Sequence, residues 1–125
     1  MKTDGNKNAC NIDSNQIQNL KKLMSDIHDD SDLNRKSNVF KALSDPTRLK
    51  ILYLLEHGDL CVCEIMAVLE IPQSTISHHL NVLKNVGLLK SQKDGVWIQY
   101  GVKYPTLTEM IENKLTKNSL FDGFL

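Results

Sequence analysis

Between residues 14 and 27 the apolar positions Ile17, Leu20, Met24 and Ile27 recur in steps of three and four. That spacing predicts an amphipathic helix capped by Asp13-Ser14. The run "HDDSD" interrupts it, and a second helix carries Leu33, Val39, Phe40 and Leu43. "SDPTRLKILYLLEHG" predicts a third helix, with Ser44 or Asp45 as cap, Pro46 in the first turn, and Gly58 ending it after His57. Asp59 is then expected to cap a short helix with Val62, Ile65, Met66 and Leu69 on one stripe. "IPQST" forms a tight break before a helix from Ser74 to Val86, closed by Gly87. In "LLKSQKDGVWIQYGV" β-branched and aromatic residues alternate after Asp94-Gly95, the mark of a β-hairpin. A last helix runs from Pro105 to Lys117, with Leu107, Met110, Ile111 and Leu115 apolar.

Two short helices joined by a tight turn and followed by one hairpin outline a mostly α (α+β) fold. The expected architecture is a winged helix-turn-helix with a two-stranded β-hairpin wing. Residues 1–13, polar and rich in Asn and Lys, read as a flexible arm. Residues 14–117 form the domain and residues 118–125 a tail. A chain of 125 residues is long enough to bury its own core without covalent staples. The aromatic fraction of 6% favours helices with modest side-chain volumes.

Fifteen basic residues balance fifteen acidic ones, so net charge neither demands nor excludes a nucleic-acid partner. The distribution is more telling. Between Ile71 and Lys103 four Lys stand against the single acid Asp94, a local basic surface compatible with DNA binding. No apolar run approaches a membrane span and no signal-peptide pattern opens the chain, so a cytoplasmic protein without membrane contact is expected. Three cysteines, two of them nearly adjacent, make a poor disulfide framework and point to free thiols in a reducing compartment.

At about 100° per residue, Ile76, Leu80, Val82, Leu83 and Val86 share one arc of the helix in "QSTISHHLNVLKNVGLL", and His79 falls inside it. His79 therefore reads as a packed, hydrogen-bonded histidine. His78 lies opposite, with Ser74, Asn81 and Asn85, while Ser77 and Lys84 stand at the edge of that polar face. No Asp or Glu interrupts the helix, whereas a merely solvated face usually mixes both signs. Recognition helices present their first residues to base edges in the major groove. Gln73, Ser74, Thr75, Ser77, His78, Asn81 and Lys84 are thus candidate DNA contacts. Lys90 and Lys93 on the hairpin are candidate phosphate contacts, which position a protein without reading sequence.

"FKALSDPTRLKILYLL", "DLCVCEIMAVLEIPQSTISHHLNVLKNVGLL" and "KDGVWIQYGV", spread over residues 38 to 102, resemble in order the ArsR/SmtB metalloregulatory repressors. Cys-Val-Cys is a signature of that family's thiolate-sensing members. The resemblance implies a homodimer, paired through its first and last helices, that leaves double-stranded operator DNA when a toxic metal or metalloid binds. DNA binding would need no cofactor. The chain departs from the family pattern at three places. Val96 stands where many members have an Arg after the wing glycine. Met66 stands where arsenite repressors of the enteric type have a third cysteine. No histidine follows His79, so a second site on the last helix would have only carboxylates such as Glu109 and Glu112.

Thiolates favour soft ions, which makes Cys61 and Cys63 candidate metal ligands. The alternative is a pair of small buried cysteines. The resemblance supplies a precedent for Cys10: in cadmium- and lead-sensing members an N-terminal cysteine joins the pair, commonly across the dimer. Cys10 is then either a third ligand or an idle thiol. Three sulfurs suit As(III) or Sb(III) as inducer, with lead, bismuth and cadmium behind. His28 offers a nitrogen among acids, more in keeping with a surface residue.

The spacing carries a conflict. Residues two apart on an α-helix point about 200° apart, whereas in extended chain they share a face. With Asp59 as cap, both cysteines would occupy the first helical turn, where the helix end favours thiolate. Ion binding would then have to unwind that turn. Competing readings are a thiol-redox repressor in which Cys10 pairs with Cys61 or Cys63, and a winged-helix interaction module without sensing. An enzyme is disfavoured, because no nucleophile, base and oxyanion set surrounds the pair.

Overall fold

The computed structural model describes residues 11–27 and 29–116. The chain divides into two compact units, Met1–Asn34 and Arg35–Leu125. Cys10 and His28, two of the candidate ligands, lie outside the described residues.

In the first unit, helix α1 (Ser14–Ile27) begins where the Asn15 N–H donates to Asp13 Oδ1 at 3.0 Å. Its apolar stripe, Ile17, Leu20, Leu23, Met24 and Ile27, is exposed along its whole length. Helix α2 (Asp30–Leu43) starts under a second acidic cap, with the Asp32 N–H donating to Asp29 Oδ1 at 2.7 Å, and runs on into the second unit. The break between α1 and α2 falls where the acidic run predicts it.

The second unit contains the core. Helix α3 (Pro46–Leu55) is capped by Asp45, whose carboxylate accepts from the Thr47 and Arg48 amides at 2.8 and 3.1 Å. These hydrogen bonds, that of Arg48 first, hold the Asp45 carboxyl below its ordinary pKa despite some desolvation. Ile51, Leu52 and Leu55 of α3 are fully buried with Ile65 of helix α4 (Val62–Leu69) and with Ile76, Leu80 and Leu83 of helix α5 (Gln73–Asn85). Each such side chain contributes about 1.5–3 kcal/mol by leaving water. The buried positions of α5 are three of the five read from its apolar arc, so the opposite, polar face is turned outward.

The sheet differs from the expected hairpin. Strands β2 (Leu89–Asp94) and β3 (Trp97–Val102) form the wing, but a third strand, β1 (Leu60–Cys61), joins β3 on its other edge in the order β1-β3-β2. Leu60 pairs with Tyr100 and Cys61 with Gln99. Asp94 pairs with Trp97, so the two loop residues are Gly95 and Val96 rather than Asp94 and Gly95. Gly95 has φ +63°, which a glycine at the first loop position of a type II′ hairpin adopts at no steric cost. Gly101 is buried for a different reason. A Cβ there would meet the Asp59 carboxylate, which would have to turn aside to make room.

Helix α6 (Thr106–Met110) widens into a π-helical segment, Ile111–Thr116, where a regular helix to Lys117 was expected. The Thr116 hydroxyl donates to the Ile111 carbonyl at 2.8 Å across that wider turn. Tyr53 of α3 donates to Glu112 Oε1 at 3.1 Å and ties this segment to the core. Burial, with the Glu112 carboxylate, pushes the Tyr53 hydroxyl above its ordinary pKa. No helix among the described residues is long and apolar enough to cross a membrane.

Candidate functional site

The cysteine pair sits where β1 becomes α4. Asp59 does not cap the helix. The cap is Cys61, in extended conformation with φ −87° and ψ 168°. Pairing with β3 holds Leu60 and Cys61 extended, so the helix cannot begin before Val62. The Cys61 N–H donates to Glu64 Oε1 at 3.0 Å, and the Glu64 amide is directed back at the Cys61 sulfur. This is the reciprocal arrangement of a capping box, with a thiol in place of the usual hydroxyl.

One cysteine is therefore extended and the other is the second residue of the helix, and their sulfurs lie 3.7 Å apart. The angular conflict of two helical residues does not arise. Both cysteines are free thiols, Cys61 half-buried and Cys63 exposed. The Glu64 amide pulls the Cys61 pKa down, but burial, the Glu64 carboxylate and the Cys63 thiol outweigh it, and the net shift is upward. The expected thiolate bias of the helix end is thus reversed at Cys61. Among the described residues no third His, Cys, Asp or Glu joins the pair as a ligand group. Glu64 itself is held at the cap, its carboxyl lowered in pKa by the Cys61 amide.

Beside the thiols runs an apolar groove of about 460 Å³. Val62, Met66, Trp97, Ile98 and Tyr100 line it, and it reaches Val96 at the wing tip and Gln73 at the start of α5. Sequence reading noted Val96 only as a departure from the family pattern and did not single out Trp97, Ile98 or Tyr100. Their only signal was an apolar run, Val96-Trp97-Ile98, at a hairpin tip where solvent-facing polar residues are usual.

On the outward face of α5, Gln73, Ser74, Thr75, His78, Asn81 and Lys84 are exposed together, while Ser77 is half-buried. Lys90 and Lys93 are exposed on β2. Lys84 Nζ donates to Ser91 Oγ at 2.7 Å, linking the helix to the wing. His79 is half-buried and its Nδ1 lies 3.1 Å from Arg48 Nη1. Since a guanidinium can only donate, Nδ1 accepts and the ring proton is on Nε2. Arg48 also donates through Nε to the Ala42 carbonyl at 2.7 Å and through Nη2 to the Lys41 carbonyl at 3.3 Å. One side chain thereby fastens the end of α2 to α5, a role that sequence reading missed.

A three-stranded sheet with a wing, a helical pair presenting a polar face, and a buried apolar arc behind it define a winged helix-turn-helix DNA-binding regulator. Comparison with known proteins agrees. A family model described as bacterial regulatory protein, arsR family, matches residues 45–91. An uncharacterized HTH-type transcriptional regulator of Methanocaldococcus jannaschii is 48% identical over 79 residues, 62% of this chain and 89% of that one. A cadmium resistance transcriptional regulatory protein CadC homolog of Staphylococcus aureus is 43% identical over 77 residues, 61% of this chain and 64% of its own length. An arsenical resistance operon repressor of the same species is 38% identical over 77 residues, 62% of this chain and 74% of that one. Among solved structures, a homodimeric winged helix-turn-helix DNA-binding domain from Mycobacterium bovis, a possible ArsR-family regulator, superposes with TM-score 0.60 at 26% identity. That match covers 68% of this chain and 84% of that one. The chain belongs to the ArsR family of transcriptional regulators and is not an enzyme.

Proposed function

We propose that this regulator is a repressor that binds a two-fold operator as a homodimer and releases it when a soft ion, As(III) or Sb(III) before lead, bismuth or cadmium, binds Cys61 and Cys63. The observation that carries the proposal is the 3.7 Å separation of two free sulfurs at the junction of β1 and α4. Two thiols already side by side need little rearrangement to hold one ion, and thiolates select soft ions. Regulators of cadmium and arsenical resistance among the similar proteins support the same reading. Cys10 is the candidate third sulfur. Exposed apolar side chains on α1, and Met110 and Leu115 near the other end, support self-association through the terminal helices.

The route to DNA differs from simple unwinding of a helical turn. Cys61 is hydrogen-bonded into the wing sheet opposite Gln99, and α4 packs on α5. An ion that draws the sulfurs into its own geometry moves β1 and the helix start together. That shifts the wing and the reading helix, whose candidate contacts are Gln73, Ser74, Thr75, Ser77, His78, Asn81, Lys84, Lys90 and Lys93. Operator binding by the reduced chain, followed by fluorescence anisotropy while arsenite, antimonite, cadmium, lead or zinc is added, tests the proposal. Arsenite is expected to release the wild type and to leave Cys61→Ser and Cys63→Ser bound. Release of the double variant by the same arsenite concentration would overturn it.

A further inference from the structure

The Arg48 side chain of α3 reaches two other helices. Nε and Nη2 donate to the Ala42 and Lys41 carbonyls in the last turn of α2, while Nη1 donates to His79 Nδ1 on α5. Carbonyls at a helix end lack intrahelical donors, and the helix dipole favours a cation there. The guanidinium is thus held on α2 by two bonds whatever the pH, and the bond to His79 is the one that a proton can break. A proton on Nδ1 would set one N–H against another and one positive charge against another. The charged groups facing the imidazole are Asp45 and Arg48 from α3 with its cap and His78 on α5 itself. Burial depresses the pKa of His79, Asp45 opposes this, and Arg48 and His78 add to the depression. Asp45 is already engaged by the Thr47 and Arg48 amides.

We infer that Arg48 is a positioning residue for the reading helix, acting through neutral His79, so that operator binding and protonation of His79 oppose each other. His79 stands beside His78 and two residues from Ser77 and Asn81, all three candidate DNA contacts. Base contacts need their side chains within about 0.5 Å of the productive position, and all contacts on one helix share its rotation. Loss of the Arg48 bond releases α5 from the end of α2 and loosens that placement. The inference rests on the reading of α5 as the helix that meets DNA and makes no use of the thiol pair. Affinity is full where His79 is neutral and falls as pH drops through its pKa. A proton on His78 acts the other way, since it adds positive charge towards phosphate.

The test uses the full reduced chain and a duplex that the wild type selects from a random pool at pH 7.5. Anisotropy follows affinity from pH 7.5 to 5.5, and circular dichroism on the same samples shows that each protein is folded. His79→Asn offers Arg48 an amide oxygen in place of Nδ1 and does not titrate. The wild type is expected to weaken over this range by about threefold or more beyond His79→Asn, one proton allowing at most about tenfold per pH unit. Titration of His78 is common to both proteins. His79→Leu and Arg48→Met should bind about fivefold more weakly at pH 7.5 and lack that excess loss; if Arg48→Met does not fold, the two His79 variants decide. By reciprocity the His79 ring, titrated by NMR, should show a lower pKa in the duplex complex than in the free chain. Parallel curves for the wild type and His79→Asn, or a His79 pKa unchanged by the duplex, would overturn the inference and leave the operator reading intact. Failure of the wild type to select any duplex would overturn both.

Discussion

Cys61 lies directly across from Gln99 in the antiparallel pairing of β1 with β3, so the residue that opens α4 is also part of the wing sheet. A change of geometry at its sulfur should therefore be felt in the wing before it is felt in the distant core. Hydrogen exchange on the DNA-free chain, with and without arsenite, measures this. The amides of Ile98 to Gly101 are expected to change their exchange rates more than those of Ile51 to Leu55. Equal effects on both segments would point to a global change instead.

Arg48 and His79 predict a pH dependence. Burial lowers the His79 pKa, and the nearby Arg48 and His78 lower it further, against an opposing pull from Asp45. A folded-state pKa below the unfolded value near 6.5 means that the unfolded chain binds the extra proton first as pH falls. Stability is thus expected to be full above that range and to decline as pH drops below about 6.5, where protonation also removes the acceptor for Arg48. Thermal melts at pH 7.5 and 5.5 check this, with His79→Asn expected to flatten the difference. A wild-type melting temperature unchanged between the two would contradict it.

Exposed residues on the reading helix and wing should separate into two kinds. His78→Ala or Asn81→Ala is expected to weaken a selected operator about tenfold and to relax preference at one base position. Lys93→Gln is expected to weaken all duplexes alike and to reduce the salt dependence of binding by about one ion. Binding measured against a set of operator variants at several salt concentrations distinguishes these patterns.

Apolar residues divide in a similar way. Leu80 is fully buried, and Leu80→Ala should cost about 2–5 kcal/mol in denaturant unfolding. Leu20 and Met24 are exposed on α1, so Leu20→Asp with Met24→Asp should leave the unfolding of the Arg35–Leu125 unit nearly unchanged while shifting a dimer towards monomer. Sedimentation velocity reads the second effect. A double variant that stays dimeric would show that α1 is not the interface.

How much of this was legible depended on the distance over which each signal is written. The 3.6-residue periods of α1 and α5, the Asp45-Pro46 start of α3, and the hairpin are local patterns, and the structure contains them. The outward set on α5 followed from the same period. β1 was invisible because two residues carry no period, and its existence depends on β3 nearly forty positions away. That strand moved the helix start from Asp59 to Cys61 and brought the sulfurs together. One local hint was available, since Cys61 and Glu64 have capping-box spacing, although the cap residue is not among the usual Ser, Thr, Asp or Asn. The groove draws on residues 61–63, 66, 73, 96–98 and 100, and Arg48 reaches His79 across thirty-one positions, distances that no window covers.

The central claim is that the thiol pair and the operator oppose each other through one protein. Coupling between two binding sites is reciprocal and commonly amounts to about 5–150-fold. The direct measurement is the affinity for arsenite of the free chain and of the chain saturated with operator. Operator is predicted to weaken arsenite binding by the same factor by which arsenite weakens operator binding, and Cys61→Ser to abolish both effects. Equal arsenite affinity with and without operator would contradict the account.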